Sequence, residues 1–153
     1  MEAGKTLLVD GPASVIMLSG SAEILGAQIH AGLKMVIREG KRFPFEVREK
    51  AEFDLLLGEK AGASEVPAST IPKSWEDAAT IIVEQESQPV IVMIVGGIDS
   101  GKTTFSAYLA NKALKKKRNV TIIDADLGQS DVSPPSTKGS CRIPKPIKDP
   151  FEI

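Results

Sequence analysis

One run of eight residues constrains this chain more than anything else in it: Gly96-Gly97-Ile98-Asp99-Ser100-Gly101-Lys102-Thr103. It fills every fixed position of the pattern G-x-x-x-x-G-K-[ST]. The residue types follow from what such a loop does. Glycines let successive backbone N–H groups turn inward around an anion without Cβ clashes. A helix starting at the end of the loop aims its positive N-terminus at the same point. Lys102 is placed to reach the β- and γ-phosphates of a nucleotide, and the Thr103 hydroxyl to ligate Mg²⁺. The loop backbone from Gly96 through Thr104 is therefore the expected ATP-binding segment. The loop calls for a nucleoside triphosphate and Mg²⁺ without fixing the reaction, since this fold hosts many.

The flanking sequence supplies the context that the motif requires. Val90–Val95 is an all-apolar run, expected as a parallel strand buried on both faces. Lys102–Lys117 reads as a helix with Phe105, Leu109 and Ala113 along one stripe and Ala110 and Leu114 beside it. Val120–Ala125 reads as a second buried strand, which makes a strand–loop–helix–strand unit. That strand runs into Asp124-Ala125-Asp126-Leu127-Gly128-Gln129. A carboxylate at the C-terminal end of a parallel strand lies where ligands bind. Asp126 is the candidate for Mg²⁺ and the attacking hydroxyl, Asp124 is a second candidate, and Gln129 a third that could orient a hydroxyl near the γ-phosphate.

Upstream, six short runs separated by turn pairs read as strands: Lys5–Asp10, Ala13–Ser19, Ala22–Ile29, Leu33–Arg38, Pro44–Arg48 and Glu52–Leu57. They predict a small all-β, sandwich-like domain over residues 1–70. Phe43, Phe45 and Val47 fall on one face, with Pro44, Glu46 and Arg48 on the other. Gly62–Lys73, rich in small residues and proline, reads as a connection. Trp75–Gln85 has helical spacing with Ser74 as its cap, and Trp75 reads as a packing residue at the helix start. The α/β P-loop portion is expected over residues 71–135. The remainder, 136–153, is expected to be an irregular tail, because five prolines lie between Asp131 and the last residue.

Charge is divided unevenly. Residues 1–100 carry a net −6 and residues 101–153 a net +5. Half of the ten basic residues in the second part are Lys112 and Lys115–Arg118. They suit either a polyanion or the negative end of a helix dipole. Cys141 is the only cysteine and His30 the only histidine, so neither a disulfide within the chain nor a Cys/His metal cluster is expected. The first twenty residues lack the apolar core of a signal peptide. No apolar run approaches the roughly 20 residues that span a bilayer. A cytoplasmic protein without membrane contact is the expectation.

The runs I-V-M-I-V-G-G-I-D-S-G-K-T-T and I-I-D-A-D-L-G-Q-S-D, followed by Pro134-Pro135, resemble the polynucleotide 5′-hydroxyl kinases of RNA processing, in particular their archaeal members. The resemblance covers residues 72–135 well and the N-terminal part loosely. It implies transfer of the ATP γ-phosphate to the 5′-hydroxyl of RNA, in some members DNA. By the same resemblance Lys102 and Asp126 are the catalytic residues, Thr103 and Asp126 hold Mg²⁺, and an RNA-processing protein is a potential partner. Family members continue beyond this point with a lid and further strands, whereas the resemblance stops near Pro135. A shortened chain is therefore expected, and its resemblance leaves open whether it is active alone. Two other readings stand beside it. One is a non-catalytic ATP-binding adaptor in an RNA-processing complex. The other is a partitioning or assembly ATPase, disfavoured because Gly97 stands where that class has a second lysine. A GTPase is disfavoured further by the lack of an Asn-Lys-x-Asp sequence.

Overall fold

The computed structural model describes residues 1–125 and 137–150. The chain divides into two compact units: Met1–Ile24 with Gln28–Pro72, and Leu25–Ala27 with Lys73–Ile153.

The first unit is a single six-stranded sheet. Its strands are β1 (Thr6–Asp10), β2 (Ala13–Ile24), β3 (Ala27–His30), β4 (Lys34–Ile37), β5 (Arg42–Leu57) and β6 (Gly62–Val66). The order is β3-β2-β5-β1-β6, with β4 also on β2. The spine is the antiparallel pair β2–β5, running from Ala13↔Leu57 to Glu23↔Glu46. Alternate residues of the two long strands fill the core. Val9, Val15, Ile24, Phe45 and Val47 are all essentially inaccessible to solvent, each large apolar side chain contributing about 1.5–3 kcal/mol by leaving water.

Two expected breaks are absent. Ser19-Gly20 marks a bulge inside β2, and the pairing shifts register between Met17 and Ala22. Gly20 takes φ +84, and a Cβ there would stand 2.1 Å from the Lys50 carbonyl oxygen. Only glycine lets the two strands stay paired through that kink. Likewise 42–57 is one strand, and part of the expected connection, 62–66, pairs with β1 from Thr6↔Val66 to Asp10↔Gly62.

The Phe43/Phe45/Val47 face is buried as its alternation requires, but Glu46 on the opposite face is also buried. It accepts hydrogen bonds from the Ser69 hydroxyl and, at 3.1 Å, from Arg48, which also reaches Glu23 at 2.8 Å. The buried Thr6 hydroxyl donates to the Ala68 carbonyl at 2.7 Å. Residues 68–69 thus cover this face, and the charge sits there because it is paired.

The second unit contains α1 (Lys73–Val83), α2 (Lys102–Lys115), β7 (Val120–Asp124) and β8 (Gly139–Ile143). Helix α1 begins one residue before the expected cap, so Ser74 lies in its first turn. Lys73 is held there by an ion pair with Asp77 at 2.6 Å. The loop–helix–strand order is that of a partial α/β P-loop fold. Val90–Val95, however, is hydrogen-bonded into neither sheet. Ile91, Met93 and Val95 are 89%, 84% and 80% exposed. A strand is held by its neighbours, and β7, the expected parallel neighbour, pairs antiparallel with β8 instead, from Val120↔Ile143 to Asp124↔Gly139.

That pairing also corrects the expectation of an irregular tail, since Ile143 and Ile147 are buried. Helix α2 buries Ala107, Tyr108, Ala110 and Asn111, whereas the stripe read from the sequence, Phe105, Leu109 and Ala113, is only half-buried. One buried contact is polar. The buried Asn111 carboxamide donates to the carbonyls of Leu25 and Ile147, both at 2.8 Å. Its oxygen accepts the Ile147 N–H at 2.7 Å. A side-chain amide here copies a strand's two-way pairing and fixes the tail to the helix.

Two outcomes are expected. Asn111→Ala orphans three buried backbone groups, each worth about 1–3 kcal/mol when left unmade. Urea unfolding should show a loss above about 2 kcal/mol, and amide exchange at Ile147 should accelerate; unchanged exchange contradicts the assignment. In the first unit Arg42 binds both Asp10 oxygens, at 2.5 and 2.9 Å, and this hydrogen bonding holds the Asp10 carboxyl below the usual carboxylate range. A lowered pKa means the pair stabilises the fold above the ordinary aspartate range and is lost as pH falls through the lowered value. In Arg42→Gln, NMR titration of the Asp10 carboxyl should return to the ordinary range; an unchanged midpoint refutes the pairing.

Candidate nucleotide-binding site

The phosphate loop lies between residues 90–95 and α2. Within it, Asp99 at φ +56 and Gly101 at φ +85 both take the left-handed backbone conformation. At Gly96 the Ser100 hydroxyl fills the place where a Cβ would stand, 2.5 Å away. The loop therefore curls tightly on itself. Lys102 folds back over it, and its ammonium donates to the Gly97 carbonyl at 2.8 Å. The lysine charge is thus held above the backbone curl, where the sequence pattern requires it.

The head of α2 completes the site. Its first helical bond runs from the Phe105 N–H to the Gly101 carbonyl at 2.8 Å. The amides of the first turn have no carbonyl within the helix to bond. Gly101, the cap residue, brings no side chain to satisfy them, and no acidic residue stands in the first turn. Lys102, Thr103 and Thr104 form that turn. The arrangement is an uncapped helix end with a lysine over it, which attracts anions through both amide donors and dipole.

Aromatic side chains pack against the back of the loop. The Trp75 ring of α1 lies 5.1 Å from the Phe105 ring and 6.4 Å from that of Tyr108, centre to centre. Its packing role is as the sequence implies, but the indole also reaches the loop. A Cβ on Gly101 would lie 3.3 Å from the Trp75 benzo edge. Trp75, Ala78 and Ile82, with Phe105 and residues 92–95, line an open cleft of about 400 Å³ that ends on Ser100, Gly101 and Lys102.

The remaining candidates are less completely placed. Asp124 ends β7, with Gly139 opposite it on β8. Asp126 and Gln129 lie outside the described residues. Among the described residues no group of three or more His, Cys, Asp or Glu side chains could hold a metal alone. His30 is exposed on β3, and Cys141 is half-buried on β8. Of the basic cluster, Lys112 lies 5.5 Å from the Tyr108 ring centre. Arg118 donates to the Gln85 carbonyl at 2.6 Å, which makes that arginine a tie to the residues after α1. Lys115, Lys116 and Lys117 are exposed at the end of α2. No helix among the described residues is long and apolar enough to cross a membrane.

Sequence reasoning missed the reach of Trp75 to Gly101 and the role of Asn111. The available signal for Asn111 was its place just after Ala110 and one turn on from Ala107, small residues that let another backbone approach a helix closely.

Comparisons with known proteins agree with the geometry. Residues 96–152 match the family described as mRNA cleavage and polyadenylation factor CLP1 P-loop. A polyribonucleotide 5′-hydroxyl-kinase of Pyrococcus abyssi (strain GE5 / Orsay) is 47% identical over 55 residues, 36% of this chain and 16% of that protein. The corresponding Methanocaldococcus jannaschii protein is 39% identical over 67 residues, 44% of this chain and 18% of that one. A CLP1 homolog of Brugia malayi is 28% identical over 148 residues, 90% of this chain and 34% of the relative. Among solved structures, the Clp1p–Pcf11p complex matches with a TM-score of 0.56 at 21% identity, over 75% of this chain and 28% of that one; this likeness shows the fold alone. The chain spans between about a sixth and a third of the length of these relatives.

Proposed function

We propose that this chain, similar over its phosphate-loop region to the CLP1 P-loop family and to polyribonucleotide 5′-hydroxyl-kinases, belongs with the polynucleotide 5′-hydroxyl kinases, binds ATP with Mg²⁺ on Gly96–Thr104 and transfers the γ-phosphate to the 5′-hydroxyl of RNA. The observation that carries the reading is the uncapped head of α2 with the Lys102 ammonium folded over the loop.

The chain's own groups divide the work. Backbone amides of the loop and first turn hold the phosphate oxygens. Lys102 exchanges its bond to the Gly97 carbonyl for the phosphates and offsets charge that builds on the transferring group. Thr103, next to Lys102, supplies a hydroxyl to Mg²⁺. One protein hydroxyl with few carboxylates suits an ion that draws most of its ligands from phosphates and water. When bound, Mg²⁺ neutralises charge on the phosphate oxygens. Asp126 is assigned to the acceptor hydroxyl. A carboxylate is a weak base, so its part is to orient that hydroxyl and take the proton late.

A second reading is an ATP-binding adaptor within an RNA-processing complex. Its support is that alignments covering 90% of this chain are to CLP1 homologs rather than to proteins called kinases.

The experiment is ³²P transfer from γ-labelled ATP to a 5′-hydroxyl RNA with Mg²⁺, for this chain and Lys102→Ala. The kinase reading expects labelled RNA that falls by about 10²–10³-fold in the variant, the usual cost of removing one group that stabilises transition-state charge. ATP binding without transfer favours the adaptor. No ATP binding refutes both.

A further inference from the structure

The Trp75 indole does more than pack two helices together. Its ring meets Phe105 and Tyr108 of α2, while its benzo edge, Cζ2 and Cη2, stands 3.3–3.4 Å from the position of a Gly101 Cβ. Gly101 is the pivot of the site. It holds φ +85, it accepts the first helical bond, and no side chain of its own fixes it. A glycine has two broad backbone regions open to it, so the pivot depends on what lies against it. Trp75 also borders the cleft that ends on Lys102.

We infer that Trp75 is a positioning residue for phosphate binding: its benzo edge buttresses Gly101 in the left-handed conformation and so keeps the loop curled and the first-turn amides aimed at one point. This rests on the nucleotide reading above and adds the element that preorganises it. The alternative occupation for an indole beside such a cleft is stacking on the base, and the two make opposite predictions. A buttress acts on phosphates whether or not a base is attached; a stacking platform acts only on the base.

The test uses Trp75→Phe, which keeps a ring against Phe105 and Tyr108 but removes the edge that reaches Gly101. Affinities for Mg·ATP and for inorganic tripolyphosphate with Mg²⁺ are measured together with thermal unfolding. The expected result is an equal weakening of both ligands, about tenfold, with an unfolding midpoint close to that of the parent chain. Weakened ATP with unchanged tripolyphosphate assigns Trp75 to the base and overturns the inference. Unchanged affinity for both also overturns it. Trp75 is the only tryptophan, so a second measurement needs no variant and decides the matter if Trp75→Phe fails to fold. Saturating tripolyphosphate should shift the emission of the parent chain, and binding without any shift overturns the inference while leaving the nucleotide reading intact. If the parent chain binds neither ligand, the nucleotide reading falls and this inference with it.

Discussion

The leading amides of an α-helix have no acceptor within the helix, and at α2 the cap residue is a glycine that offers none. Everything specific to this site depends on that deficiency. The left-handed turns at Asp99 and Gly101 bring the loop backbone round to face the same point. The Lys102 side chain lies across the curl on the Gly97 carbonyl, an interaction that a phosphate oxygen can replace with a stronger, charge-assisted one. The site is therefore an electropositive arrangement held in place by packing behind it, chiefly the contact of Trp75 with Phe105.

The two units solve different problems. The first buries apolar side chains through strand alternation and uses one bulge, at Gly20, to bend a long pair of strands. Its buried charge, Glu46, is retained because Ser69 and Arg48 bind it. The second unit is built around α2, which carries the phosphate site at one end. On its side, Asn111 bonds backbone at both Leu25 and Ile147. Apolar residues 91–95 remain beside the cleft, largely exposed. In this unit polar bonds to the backbone act beside a smaller buried apolar set that includes Ala79, Ala107, Tyr108 and Ile143.

The sequence was legible where structure is local. The phosphate loop could be read because glycine, lysine and threonine act within one turn of each other. Trp75 could be placed at a helix start for the same reason. Legibility failed where a residue's conformation is set by a distant partner. Val90–Val95 has the composition of a buried strand, but strand formation requires hydrogen-bonded neighbours that it lacks among the described residues. Gly20 looked like a turn because glycine serves turns and bulges equally. Asn111 carried no sequence signal of its role, since nothing local reveals that the Ile147 backbone, 36 residues away, completes its bonds. Lys115–Lys117 keep the ambiguity they had in the sequence, while Arg118 is tied to Gln85. Asp126 and Gln129 lie outside the described residues, and their roles rest on family resemblance.

The most direct test of this account is the amide NMR spectrum of the chain titrated with Mg·ATP, because the claim concerns backbone N–H groups rather than any one side chain. The account predicts that the largest shifts fall on the amides from Gly96 to Thr104. Shifts centred elsewhere, or none at saturating nucleotide, would contradict it.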